Sequence, residues 1–292
     1  MKKLNYFISL FAIVLFFYLE SCQQSAAKRP SQPFTHQNTV SSAPPSIADA
    51  ATIMSRKQVP ILCYHHIKNL SASQLTNDYE VSADAFKQQM KILADSGYHS
   101  ITPEQLYDYL TTGASLPEKP VMITFDDTDE EQFTIGKTEM DKYGFKGVYF
   151  IMNISIDRPH YMTREMIKQL SDEGHAICSH TYDHRRADRY QQENEVEYGG
   201  RKIRVNDWDF ELTEPRKTLE KITGKPVEYF AYPFGVWKEY GIPEIKKRGI
   251  KLAFQLSAKR DSTEPLYTVR RMIVAPTWTP QGVLKVMSST FK

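Results

Sequence analysis

Val121-Met122-Ile123-Thr124-Phe125 is a five-residue run of apolar and β-branched side chains that passes without a spacer into two carboxylates, Asp126-Asp127. A short run of this kind, bounded by polar residues, has the length and composition of a buried strand. The segments on either side alternate in period. Toward the N-terminus, residues 59–64 form another apolar run, and Ser82 can cap a helix over 82–94 with Phe86, Met90 and Leu93 on one face. Thr102-Pro103 opens a second helix, with Leu106 and Leu110 four apart. Toward the C-terminus the pattern predicts a polar helix over about 130–142, a strand over 147–152, and a helix over 163–173 ended by Gly174. It continues with a strand over 175–179 delivering His180, a helix ending near 223, and strands over 229–232 and 251–256 flanking a helix near 243–248. A late strand over 267–274 and a helix over 280–287 close it. This alternation predicts an α/β fold on a parallel sheet, open or closed into a barrel; alternation does not separate the two. In either form ligands gather beyond the carboxyl ends of the strands, where Asp126 and Asp127 stand.

The chain has 292 residues, 41% hydrophobic and 25% charged, which suits one globular domain with short appendages. With 37 basic against 35 acidic side chains it builds no polyanion-binding field, so nucleic acid is not an expected partner. The three cysteines, Cys22, Cys63 and Cys178, are too scattered for a disulfide framework or a thiolate metal site. Cys63 and Cys178 read as buried small hydrophobes, with a bridge open in an oxidising compartment.

Residues 1–22 differ from the rest. Lys2 and Lys3 precede a mostly apolar run over 6–19, short for a bilayer span and normal for a signal-peptide core. Leu19-Glu20-Ser21-Cys22 resembles the bacterial lipobox, which implies an exported protein with a lipid anchor on Cys22; a plain secretory signal or an uncleaved anchor exports the chain equally. Residues 23–57, rich in Ser, Ala, Gln and Pro, read as a flexible tether, leaving 58–292 as the folded domain.

Adjacent carboxylates raise each other's pKa unless a cation intervenes. A metal on one of Asp126 and Asp127 would relieve this and leave the other free as a base, whereas an isolated pair is more often a solvated loop or a helix cap. His180-Thr181-Tyr182-Asp183-His184 places two imidazoles four residues apart, a spacing at which they can meet on one side of a helical turn and supply two nitrogen ligands. Two His and one Asp leave coordination positions open for water and substrate.

Together, Thr-Phe-Asp-Asp at 124–127 and His-Thr-x-x-His at 180–184 resemble the first two motifs of the polysaccharide deacetylases (carbohydrate esterase family 4, NodB homology). The resemblance spans about 58–288 and implies a distorted (β/α) barrel of about seven strands. It also implies a divalent metal on Asp127, His180 and His184, with Asp126 as catalytic base. Zinc is the first expectation, with cobalt, nickel or iron acceptable to an N₂O site. Phe230-Ala231-Tyr232-Pro233-Phe234-Gly235 looks like the third motif, making the Phe234 N–H the oxyanion donor, although Tyr-Pro-Phe-Gly would favour a turn in any case. Ala231 stands where the family carries an Arg. Arg270 or Arg271 is the candidate replacement for steadying Asp126, Arg270 being preferred.

The family's C-terminal acid motif is absent, since no His follows His184. Ile61-Leu62-Cys63-Tyr64-His65-His66 is instead similar to the subgroup acting on poly-N-acetylglucosamine, whose acid-bearing motif lies on the N-terminal strand. By position, His65 becomes the general acid and Leu62 lines the acetyl pocket. His66 is expected as a wall or supporting residue and His175 as a packed core histidine; His36, His99 and His160 carry no signal. Thr128 replaces a common Gly, and Asp129-Glu130-Glu131 reads as a solvated first helical turn. The segment 185–209, with Tyr190, Tyr198 and Trp208, is either a substrate groove or a surface loop. The implied activity is removal of N-acetyl groups from an extracellular or cell-envelope polysaccharide. The alternatives are an O-acetyl esterase on xylan or another glycan, an inactive glycan-binding lipoprotein, and an amidohydrolase on a small amide.

Overall fold

The computed structural model describes residues 47–291. The apolar run over 6–19, Cys22, His36 and the tether up to residue 46 lie outside the described residues. Among the described residues no helix is long and apolar enough to cross a membrane.

Six parallel strands form the body of the sheet: β1 (Ile61–Tyr64), β2 (Pro120–Phe125), β3 (Gly147–Ile151), β4 (Ala176–Ser179), β5 (Tyr229–Ala231) and β6 (Leu252–Gln255), side by side in chain order. They are buried almost throughout, because helices cover one face and the barrel interior the other. The expected late strand is two short ones, β7 (Val269–Arg270) and β8 (Met272–Ile273), and they belong to opposite edges. β7 pairs with β6 through Phe254↔Val269 and Gln255↔Arg270; β8 pairs with β1 through Leu62↔Met272 and Cys63↔Ile273. This segment therefore carries the chain from the last strand of the sheet to the first and nearly closes a barrel. Counted as one stave, it makes the seven expected. Arg271 lies at the crossing.

The helices expected from periodicity are present where apolar residues recur on one face. Ser82 caps Ala83–Asp95, which buries Phe86, Met90 and Leu93, and Thr102 and Gln105 form a capping box on Pro103–Thr112, which buries Leu106 and Leu110. Two expectations change. Residues expected in the tether form a helix, Ala50–Ser55, capped by Asp49; Ile53 is buried against the cluster that holds Leu106 and Leu110, and the Ala48 N–H donates to the Thr111 carbonyl. The folded body thus begins before residue 58, since one amphipathic turn suffices to dock. The polar helix is a π-helical stretch, Gln132–Lys137, followed by Thr138–Asp141. Gly136 in it lies against Ile67 and Phe125, where an added Cβ would stand 3.0 Å from Ile67 Cδ1.

The segment 185–209 contains an antiparallel hairpin, Asn194–Tyr198 with Arg201–Val205. Tyr190 and Trp208 are buried in a cluster with Phe230 and Tyr232, which removes them from any groove; Tyr198 is exposed.

Candidate metal centre and active site

All the sequence-derived site residues except Arg270 converge at the carboxyl ends of the strands. The Asp126 N–H extends the ladder by one bond to the Tyr64 carbonyl (3.0 Å), and the His180 N–H does the same to Ile151 (2.9 Å). Beyond these points the backbone turns sharply. Asp127, Thr128, Thr181, His184 and Phe234 all have positive φ, between 58° and 73°. This conformation costs non-glycine residues of order 1–3 kcal/mol each and is concentrated where surrounding structure over-determines it. Local bonds do so here: Thr128 Oγ1 accepts from the Met152 N–H (2.8 Å), and Thr181 Oγ1 from the His184 N–H (2.9 Å). The two histidines therefore meet across a tight turn rather than on a helix, with ring centroids 4.9 Å apart.

Asp127, His180 and His184 bring one ligand-type atom each within 4.8 Å of the others. His180 Nε2 is 3.5 Å and His184 Nε2 3.4 Å from the same oxygen, Asp127 Oδ1. The His180 Nδ1–H donates to the Ala231 carbonyl at 2.9 Å, which leaves the Nε2 lone pair turned to the site, the usual device for fixing a metal-binding tautomer. Asp127 Oδ1 is buried without a hydrogen-bond partner, an arrangement that costs free energy unless a cation is bound. Burial lowers His184 to about 4, assisted by the charge of His180, so its imidazole is neutral near pH 7. Burial resists ionisation of Asp127, but the closeness of His180, then of His65 and His184, outweighs it and holds the carboxyl well below its usual range. These donors suit a borderline divalent ion.

Asp126 is buried beside this trio and is held by Arg271, not Arg270. Arg271 Nη1 lies 2.5 Å from Oδ1 and Nη2 2.7 Å from Oδ2, and the guanidinium stacks over Phe150. Arg270 points the other way, toward the Ser257 and Thr290 carbonyls and Gln58. Successive strand residues face opposite sides, and it is Arg271 that faces the interior. Burial would raise Asp126, but the charges of Arg271 and His180 keep it ionised. Cys63 is a free buried thiol, as is Cys178, and its Sγ donates weakly to Asp126 Oδ2 at 3.6 Å. His65 Nε2 stands 3.9 Å from the same oxygen; burial lowers its pKa against the pull of Asp126. The Phe234 ring is exposed and packs on His184 at 4.5 Å. Leu62 is fully buried.

Two buried residues were not found from sequence. Gln132 donates through Nε2 to the carbonyls of both His65 (2.7 Å) and Asp126, tying the two chemistry-bearing loops together. Glu211 accepts from backbone N–H groups of the histidine turn. Each lies in a π-helical stretch, where widening turns a polar side chain inward; their only sequence signal is a polar residue that interrupts no apolar period. Asp129 corrects the solvated-turn reading, because it is buried and paired with His66 and, at 3.4 Å, with Lys68. His66 is thus a supporting residue at the wall.

A family model described as polysaccharide deacetylase matches residues 113–253. The Bacillus subtilis (strain 168) protein YxkH, whose name places it among the polysaccharide deacetylases, is 27% identical over 287 residues, covering 94% of this chain and 95% of the relative. A poly-beta-1,6-N-acetyl-D-glucosamine N-deacetylase of Staphylococcus aureus (strain MRSA252) is 26% identical over 195 residues, 65% of each protein. Among solved structures, a polysaccharide deacetylase from Bacillus cereus superposes with a TM-score of 0.65 at 26% identity, covering 79% of this chain and 69% of that one.

Proposed function

This chain belongs to the polysaccharide deacetylase family and is a deacetylase hydrolase; on that footing we propose that it removes N-acetyl groups from an exported glucosamine-containing polysaccharide with the help of a divalent metal. The observation that carries the metal dependence is the buried, unpartnered Asp127 Oδ1 facing two histidine nitrogens beside a carboxylate already claimed by Arg271.

Asp127, His180 and His184 would hold the ion, zinc by first expectation. When bound, it supplies a Lewis acid for the acetyl carbonyl and makes water more acidic. The remaining steps belong to the chain. Asp126, kept ionised by Arg271, takes the proton of the attacking water. The Phe234 N–H donates to the developing oxyanion, a contribution of about 2.7–4 kcal/mol for a well-placed donor. His65, whose Nε2 stands 3.9 Å from Asp126 Oδ2, is placed to pass the proton taken by Asp126 to the departing sugar nitrogen as acetate leaves.

The similarity to the staphylococcal enzyme and the position of His65 at the end of β1 support poly-N-acetylglucosamine as the substrate class. Export through residues 1–22, with a lipid on Cys22, fits a polymer made outside the cytoplasm. Acetate release from poly-N-acetylglucosamine, chitooligosaccharide, peptidoglycan and acetylated xylan, run beside a metal analysis, tests the reading. It requires one metal per chain and release from a glucosamine polymer. Release from xylan alone establishes the esterase instead, and a metal-free, silent protein excludes the hydrolase reading and leaves the glycan-binding one to a binding assay. Asp127→Ala and His184→Ala should each lose the metal, and stoichiometric metal in both would exclude this ligand set.

A further inference from the structure

Glu211 is completely buried, takes no part in the chemistry above, and spends both carboxylate oxygens on the turn that presents the two histidines. Oε2 accepts the N–H of Tyr182 at 3.0 Å and of Asp183 at 3.3 Å, the two residues between Thr181 and His184. Oε1 accepts Nε–H of Arg185, the residue after His184, at 2.7 Å. One side chain thus holds three of the four residues from Tyr182 to Arg185. Arg185 extends the grip through Nη2 to buried Asp207, which also accepts the Gln191 N–H (2.9 Å) and the Asn194 side-chain amide (3.2 Å) at the base of the hairpin. The segment 185–209 is therefore anchored to the histidine turn.

The turn requires such a support. Thr181 and His184 are in the left-handed region, at φ 72° and 64°, so the conformation is not one these residues prefer. We propose that Glu211 is a positioning residue for the metal centre: by accepting the Tyr182 and Asp183 N–H groups it holds the turn that sets the separation of the His180 and His184 imidazoles. This rests on the reading of Asp127, His180 and His184 as metal ligands. Groups that orient metal ligands typically change metal affinity about 10–100-fold when removed.

The test uses the full chain in detergent, as wild type, Glu211→Leu, Glu211→Gln and His184→Ala. Zinc affinity is read by chelator competition and site geometry by the visible absorption of the cobalt-substituted protein. Glu211→Leu, similar in size without an acceptor, should bind zinc about 10–100-fold more weakly and shift the cobalt bands. Glu211→Gln, whose amide oxygen can still accept both N–H groups but whose NH2 cannot accept from Arg185, should recover part of the affinity. Wild-type affinity and spectrum in Glu211→Leu, or equal loss in both substitutions, would overturn the proposal. Should Glu211→Leu not fold, amide exchange in chelator-treated wild type decides: Tyr182 and Asp183 should be protected, and free exchange at both overturns it. Undiminished zinc affinity in His184→Ala would instead remove the ligand assignment on which the proposal stands.

Discussion

Arg271 and Asp126 form a two-pronged ion pair inside the barrel, Nη1 and Nη2 each on its own carboxylate oxygen at 2.5 and 2.7 Å. The pair joins the segment that closes the barrel to the proposed base. A planar fork matched to a carboxylate fixes orientation as well as charge, which a point-charge ammonium does not. Arg271→Lys should keep the metal, since Asp127 and not Asp126 is the proposed ligand, but lose about 10²-fold in kcat through misplacement of the base. Arg271→Met, which strands a buried carboxylate, should also destabilise the fold by about 3–5 kcal/mol. Arg270→Ala should change turnover less than about threefold. Acetate-release kinetics with a metal assay separates the three, and a defect in Arg270→Ala equal to that of Arg271→Lys would refute the assignment.

The contrast between these two arginines shows what was legible in the sequence. Asp126-Asp127 and His180-His184 could be read directly because strand end, turn and chemistry occupy a few contiguous residues. Arg271 could not be chosen over Arg270, because the choice depends on which side of a split strand faces inward, and that split arises from pairing with nearby β6 on one side and with β1, at the other end of the folded chain, on the other. Gln132 and Glu211 were hidden for a related reason. A buried polar side chain is identified by its partners, the His65 and Asp126 carbonyls in one case and the histidine turn in the other, and no local period encodes them. The helix Ala50–Ser55 was masked by the Ser- and Ala-rich composition around it.

Gly235 follows Phe234 at φ 66°, and a Cβ there would lie 2.3 Å from Leu256 Cβ and 2.6 Å from its backbone nitrogen. The backbone atom cannot swing aside. Gly235→Ala should therefore move the Phe234 N–H away from the site as well as strain the turn. We expect a stability loss of about 1–3 kcal/mol and a larger fall in kcat than in metal content. Thermal melting and acetate release would show it, and a fully active variant would indicate that the Phe234 N–H is not an oxyanion donor.

Gln132→Leu keeps most of the side-chain volume but removes the donor shared by the His65 and Asp126 carbonyls. Each buried carbonyl left without a donor costs about 1–3 kcal/mol. Urea unfolding should register that loss. Turnover should drop as well, because the loops carrying the proposed acid and base are no longer tied to each other. Gln132→Glu, which in its ionised form cannot donate, should resemble the Leu variant at neutral pH; wild-type behaviour in both would mean the tie is dispensable.

His175 lies far from this chemistry and gives a pH prediction of its own. Its Nδ1 accepts the Gly147 N–H at 2.9 Å, so the neutral ring carries its proton on Nε2, buried and without a hydrogen-bond partner, 3.6 Å from Asp141 Oδ1. That tautomer leaves Nε2 no free lone pair, so Asp141, Glu173 and His175 do not make a second metal site, and Lys137 already bridges the two acids. Burial, then the charge of Lys146, lowers His175 to about 4 against the pull of Asp141, from an ordinary value near 6.5. As pH falls below 6.5 the unfolded chain takes up this proton first, so stability is complete above that value and declines toward pH 4. The full loss is of order 3 kcal/mol. His175→Asn can place an amide oxygen where Nδ1 was, and it does not titrate. Urea unfolding of the chelator-treated proteins at pH 7.5 and 4.5 should show wild type losing about 2–3 kcal/mol more than His175→Asn between the two. Parallel losses would show that the imidazole is charged in the folded protein.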